Sequence, residues 1–197
     1  MPGLYAAFDR FPSPKGAGTH IAHAAAALLE HAGGGVLAAL REEDEPEALP
    51  QDPGGTLERF YHPSPNLLVR ADAFASWLWD NLSGKWEAAF CQFRDPWGGV
   101  PIAEARAGKS PLIYEVNGLP SVEMPYHFPK LAASAVEKLR SLERYCLERC
   151  DGVIVPSAVI RDNLVKAGVP GKKVAVIPNG AAIPGPAPGR RARRAGI

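Results

Sequence analysis

A chain of 197 residues has room for one full domain and not for two. A net charge of +1 with 22% charged residues points to neither a nucleic-acid nor an acidic partner, and 46% hydrophobic content is ordinary for a globular chain. No apolar run approaches the roughly 20 residues of a membrane-spanning helix, and Met1-Pro2-Gly3-Leu4-Tyr5 lacks the basic start and apolar core of a signal peptide. Cys91, Cys146 and Cys150 are too sparse and too odd in number for a disulfide framework, so a cytoplasmic chain with reduced thiols is expected.

Leu4 to Phe8 is a short apolar strand and Asp9 to Gly18 a loop. Thr19 then caps a helix carrying Ile21, Ala24, Ala25, Leu28, Leu29 and Ala32 on one face, and Gly33-Gly34-Gly35 stops it. Val36 to Leu40 is the next strand. The acidic, Pro-rich and Gly-rich stretch from Glu42 to Gly55 reads as an exposed loop, and Arg59-Phe60-Tyr61-His62 as a third strand. Asp72 to Leu82 is a helix whose Phe74, Trp77, Leu78 and Leu82 share a face. Trp86 to Phe93 is a buried strand, Gly98 to Ala107 a short helix, and Pro111 to Val116 a strand bounded by Asn117-Gly118. An irregular segment with Pro120, Pro125 and Pro129 follows. Lys130 to Arg149 is the longest helix, with Leu131, Ala135, Leu139, Leu142 and Cys146 at helical spacing.

The last third is the most informative. Asp151-Gly152-Val153-Ile154-Val155-Pro156-Ser157 is a strand, Ser157 to Ala167 a helix ended by Gly168, and Lys173-Val174-Ala175-Val176-Ile177-Pro178-Asn179-Gly180 a strand running into a turn. Two β-branched runs joined by a helical crossover make a parallel βαβ unit. Strands alternating with helices over the whole chain predict an α/β fold, a doubly wound, mostly parallel sheet covered on both faces. The tail from Pro184 to Arg194 reads as linker, and its Arg190, Arg191, Arg193 and Arg194 offer a contact to anionic lipid or simply a severed connection.

Open α/β sheets bind ligands beyond the carboxyl ends of their strands, which singles out three loops. Pro12-Ser13-Pro14-Lys15-Gly16-Ala17-Gly18-Thr19-His20 delivers Gly16, Ala17 and Gly18 to a helix start, where free amides make an anion site or where glycine merely serves a turn. A dinucleotide fingerprint is excluded, because Ile21 stands where its third glycine belongs. In Gln92-Phe93-Arg94-Asp95-Pro96-Trp97, the fork of Arg94, the carboxylate of Asp95 and the ring of Trp97 suit a sugar or phosphate. The alternative is an Arg94–Asp95 pair with Trp97 covering the core edge. In Tyr114-Glu115-Val116-Asn117-Gly118, Glu115 orients a hydroxyl, sits as a rim carboxylate or forms an ion pair, and Asn117 cannot take a proton. His20, His23 and His31 lack partners at metal-ligand spacing, so solvated or capping histidines and no metal are expected.

The final strands with Pro178-Asn179-Gly180 resemble the end of the N-terminal half of a family 4-like (group 1) glycosyltransferase of GT-B fold. That resemblance implies a Rossmann-like, acceptor-binding domain over 1–183 and a truncated interdomain linker over 184–197. It implies a retaining enzyme of bacterial polysaccharide biosynthesis that uses a sugar nucleotide as co-substrate, needs no other cofactor, and transfers to a glycan, lipid-linked or small-molecule acceptor. Gly16, Ala17 and Gly18 would face the donor diphosphate, Arg94, Asp95 and Trp97 the substrate, and Glu115, Asn117 and Asp95 the acceptor side. Asn117 stands where many relatives carry a histidine. The resemblance further implies a C-terminal domain as partner, placement at the inner face of the membrane, and an inactive fragment that self-associates through Trp97, Val100, Leu119 and Met124. A non-catalytic module that binds a phosphorylated ligand or a partner chain is the competing expectation.

Overall fold

A computed structural model describes residues 2–51, 55–82, 88–106 and 110–180. In chain order the described elements are β1 (Gly3–Arg10), α1 (Gly16–Ala32), β2 (Gly35–Leu40), β3 (Ala48–Gln51), β4 (Gly55–Phe60), α2 (Leu67–Leu82), β5 (Phe90–Phe93) and α3 (Pro96–Ala105). They continue with β6 (Leu112–Glu115), α4 (Pro120–His127), α5 (Ala133–Arg149), β7 (Gly152–Val155), α6 (Ala158–Lys166), one 3-10 turn (Gly171–Lys173) and β8 (Val174–Val176). The eight strands form one sheet in the order β3-β4-β2-β1-β5-β6-β7-β8. Every neighbouring pair is parallel except β3 with β4.

β1 is central because its residues are apolar on both faces. Alternation divides them: Tyr5 and Ala7 pack with Ile21, Ala25, Leu28 and Leu29 of α1, while Leu4 and Ala6 point the other way. On that second face Phe74 and Leu78 of α2, Ile102 of α3 and Cys146 of α5 close over Phe93 and Tyr114. Ile21 and Leu29 are fully buried, each contributing roughly 2 to 3 kcal/mol of transfer free energy. The sheet is thus covered on both faces, as the alternation of strands and helices predicts. The three cysteines are free and buried.

Four local expectations are corrected. α1 begins at Gly16 with Lys15 at the N-cap, so Thr19 lies inside the helix and caps nothing. The loop expected over Glu42 to Gly55 contains β3, whose antiparallel pairing with β4 supplies the backbone partners that its own sequence did not advertise. Pro50 is tolerated there because β3 is an edge strand. Arg41 organises the approach to β3 by donating to the carbonyls of Glu42, Glu43 and Glu45.

The irregular segment after Asn117-Gly118 is the helix α4, in which Pro120 takes the first-turn position where its missing N–H costs nothing. α2 begins five residues before Asp72, because the Asn66 side chain accepts from Leu68 N at 2.9 Å and caps it. Trp86, the 184–197 tail and its arginines lie outside the described residues. No described helix is long and apolar enough to cross a membrane.

Candidate functional site

The chain runs from β1 outward through β2 to β4, then returns to β5 on the other side of β1. The loops leaving the carboxyl ends of β1 and β5 therefore part from each other, which opens a crevice at this switch point. A cleft of about 210 Å³ lies there, lined by Phe8 and Asp9 near the carboxyl end of β1, by Arg94, Asp95 and Trp97 after β5, and by Asn117, Gly118, Pro120 and Glu123 after β6. Two of the three loops singled out in the sequence meet in it.

Glu115, the last residue of β6, lies beneath this cleft and is only 2% exposed. Its Oε2 accepts from Tyr5 Oη at 2.8 Å and Gln92 Nε2 at 2.7 Å. Its Oε1 accepts from Asn117 Nδ2 at 2.6 Å and stands 2.8 Å from His20 Nε2 and 3.0 Å from Arg94 Nε. A buried carboxylate is costly unless its oxygens are satisfied, and here three hydrogen bonds and two cationic contacts, from β1, α1, β5 and the loops after β5 and β6, surround them. The Tyr5 phenol is driven far above its ordinary value, first by burial and then by this carboxylate. Glu115 is accordingly a buried ion-pair hub rather than a free acid facing the cleft.

Arg94 is not paired with Asp95. Its Nη1 donates to Asp9 Oδ2 at 3.1 Å while Nε adjoins Glu115, and only 10% of its side chain is exposed. Asp95 is the N-cap of α3: Oδ1 accepts from Gly98 N at 2.8 Å and Oδ2 from Phe8 N at 2.7 Å, which ties the ends of β1 and β5 together. Burial pushes its carboxyl up to about 6 despite those two amide bonds, which pull it down. Burial likewise raises Asp9, against the neighbouring Arg94 and Lys15. The Trp97 ring lies 5.1 Å from that of Phe8 and covers the core edge while still lining the cleft. Val100, Leu119 and Trp97 are partly buried against the core and Met124 is 7% exposed, so the apolar set expected to be bare is packed.

The first turn of α1 has no side-chain cap and no acidic residue. Its first backbone bond is Thr19 N to Lys15 O, which leaves the amides of Gly16, Ala17 and Gly18 without acceptors among the described residues. Gly18 has a structural reason as well, since a Cβ there would stand 2.2 Å from Ser13 O. Around Gly16 the space is open. His20, one turn further on, was expected to be solvated or capping; its contact with Glu115 instead joins α1 to the carboxyl end of β6. His23 and His31 are exposed as expected. Among the described residues no three His, Cys, Asp or Glu side chains form a metal cluster.

His20, Tyr5 and Gln92 were missed as members of the site. Tyr5 and Gln92 sit inside strands where they read as core, and nothing in the local sequence says which buried polar group they serve.

The family model described as Glycosyltransferase Family 4 matches residues 14–183. The chain belongs to that family. Among solved structures it is similar to sucrose-phosphate synthase from Thermosynechococcus elongatus, at TM-score 0.65 and 16% identity over 92% of this chain and 49% of that one. It is also similar to HepE of Anabaena, solved in complex with UDP and glucose, at TM-score 0.54 and 15% identity over 92% of this chain and 45% of that one. The chain thus spans about half the length of either protein. No curated protein matches it. Its sheet is the Rossmann-like half of a GT-B fold, and the glycosyltransferase domain places its cleft at the switch point described above.

Proposed function

We propose that this glycosyltransferase domain is the acceptor-binding half of a retaining enzyme that moves a sugar from a sugar nucleotide to a glycan, lipid-linked or small-molecule acceptor, in bacterial polysaccharide biosynthesis at the inner face of the membrane. The observation that carries this reading is the Glu115–His20 contact, which sets an uncapped helix N-terminus beside the cleft that follows β5 and β6. One end of that arrangement suits a diphosphate and the other a hydroxylated acceptor. The complex of HepE with UDP and glucose supports a sugar-nucleotide donor.

The amides of Gly16, Ala17 and Gly18, with the dipole of α1 behind them, bind and orient the leaving diphosphate. Asn117, held through its Nδ2 by Glu115, keeps its carbonyl oxygen for an acceptor hydroxyl. Glu115 positions His20, Arg94 and Asn117 and is itself no base, since both its oxygens are engaged. The acceptor hydroxyl passes its proton to a diphosphate oxygen as the glycosidic bond forms and the sugar–phosphate bond breaks on the same face. Trp97 and Phe8 wall the reacting groups from water.

Donors aimed at the developing diphosphate charge supply most of such an enzyme's rate, and a second α/β domain provides the rest of them. Incubating the 197-residue chain with UDP-, GDP- and ADP-sugars should release nucleoside diphosphate only at background. Chemical-shift mapping with UDP-glucose should move Gly16 to His20 and the cleft loops first. Turnover by this chain alone, or shifts confined to other surfaces, overturns the reading.

A further inference from the structure

We propose that the cleft selects an uncharged, polyhydroxylated acceptor group and turns away one that presents a phosphate or carboxylate at that position, an inference that rests on the acceptor-site reading above. The charges lining the cleft are unequal. Lys15, at the start of α1, neighbours Asp9, and His20 is paired with Glu115. The cleft lining carries three carboxylates, Asp9, Asp95 and Glu123, against the single guanidinium of Arg94.

That guanidinium is already flanked by carboxylates. Asp9 holds Nη1 at 3.1 Å and Glu115 lies 3.0 Å from Nε, so an anion drawn to Arg94 meets two like charges beside it. What the lining does offer is oxygen acceptors: the carboxylates of Asp9 and Glu123 and the carbonyl of Asn117. A lining in which carboxylates outnumber cations matches a group rich in O–H donors, which is a sugar or polyol. The apolar wall of Phe8 and Trp97 suits the C–H face of such a ring.

The experiment titrates the isotope-labelled 197-residue chain with glucose, mannose and galactose and with their 6-phosphates at physiological salt. At least one neutral hexose should shift the signals of Trp97 and Asn117, and its 6-phosphate should do so with an affinity roughly tenfold lower or worse. High salt should narrow that gap, because it screens a partly exposed site. Asp9→Asn, a change at a half-exposed position, removes one carboxylate charge beside Arg94 and should recover affinity for the 6-phosphate. A 6-phosphate that binds the unaltered chain as well as the neutral hexose, or Asp9→Asn without effect on the gap, overturns the selectivity and leaves the acceptor site standing. Shifts at Trp97 and Asn117 with none of the six sugars overturn the acceptor-site reading and this inference with it.

Discussion

His20 Nε2 stands 2.8 Å from Glu115 Oε1, which fastens the first turns of α1, packed on β1, to the carboxyl end of β6 across the intervening β5. The contact costs a buried charge and contributes geometry, since the same carboxylate also fixes Tyr5, Gln92, Asn117 and Arg94. Truncating one partner of a buried ion pair leaves the rest unpaired in a poor solvent. Glu115→Ala should therefore lose about 3 to 5 kcal/mol in urea unfolding, while His20→Ala, at a side chain 29% exposed, should lose about 1 kcal/mol. Equal losses for the two variants would show that Glu115 is not the hub.

The glycines of the first loop separate in the same kind of test. A Cβ on Gly18 meets the backbone oxygen of Ser13 at 2.2 Å, so Gly18→Ala must push Ser13 away from the helix. A loss of about 1 to 3 kcal/mol is expected, the range for overpacking a tight contact. Gly16 faces open space and has ordinary helical placement, so Gly16→Ala should be neutral or stabilise by up to about 1 kcal/mol. Thermal unfolding of the two variants reads the difference directly. It also separates fold from function, because Gly16→Ala leaves a stable chain in which the approach to the amides is narrowed.

The sheet was legible because its strands are β-branched or apolar runs cut by Gly, Pro and Asn, and these signals are local. The carboxyl-edge loops were legible for the same reason, since strand ends locate them. What stayed hidden depends on partners distant in the chain. β3 becomes a strand only beside β4, and α4 holds two prolines that mask its helical character until Glu143 of α5 anchors it. Asp95 and Arg94 are adjacent in sequence, which left a substrate-facing trio with Trp97 and a mutual pair both open. Yet the N-cap geometry of α3 turns Asp95 toward Phe8 N, and the end of β1 places Asp9 where Arg94 reaches it. His20 read as a solvated helix residue because only the fold brings Glu115 beneath it.

Asp95 gives the domain a distinct pH response. Burial lifts its carboxyl from an ordinary 3.8 to about 6, so between those values the folded chain keeps a proton that the unfolded chain has released. The stability this group contributes is present below about pH 4 and is lost as pH rises toward about 6. Asp95→Asn keeps the cap to Gly98 N, gives up the bond from Phe8 N, and should cost about 1 to 2 kcal/mol below about pH 4. The informative quantity is the difference between the unaltered chain and this variant. It should shrink from about pH 4 to about pH 6 and stay flat above, and a difference that grows over that window would place the proton the other way.

Glu143, on α5, is 4% exposed and accepts from both Ser121 N and Ser121 Oγ at 2.6 Å. These bonds reach the second residue of α4 and satisfy an amide that the helix itself leaves free. Pro125 removes one of the few internal hydrogen bonds of this eight-residue helix, so the anchor matters more than it would in a longer one. α4 in turn supplies Pro120 and Glu123 to the cleft. Glu143→Ala should cost about 1.5 to 3 kcal/mol, the scale of bonds to a charged group, and should speed amide exchange in α4 well before the sheet is affected. In an active two-domain form the same variant should weaken acceptor binding more than donor binding, since α4 lines the cleft proposed for the acceptor and Gly16 to Gly18, proposed for the donor, do not. Glu143→Gln keeps one acceptor oxygen for Ser121 and should restore part of the protection. If exchange in α4 is unchanged by Glu143→Ala, the helix is held by its packing on α5 and the carboxylate is only a buried passenger.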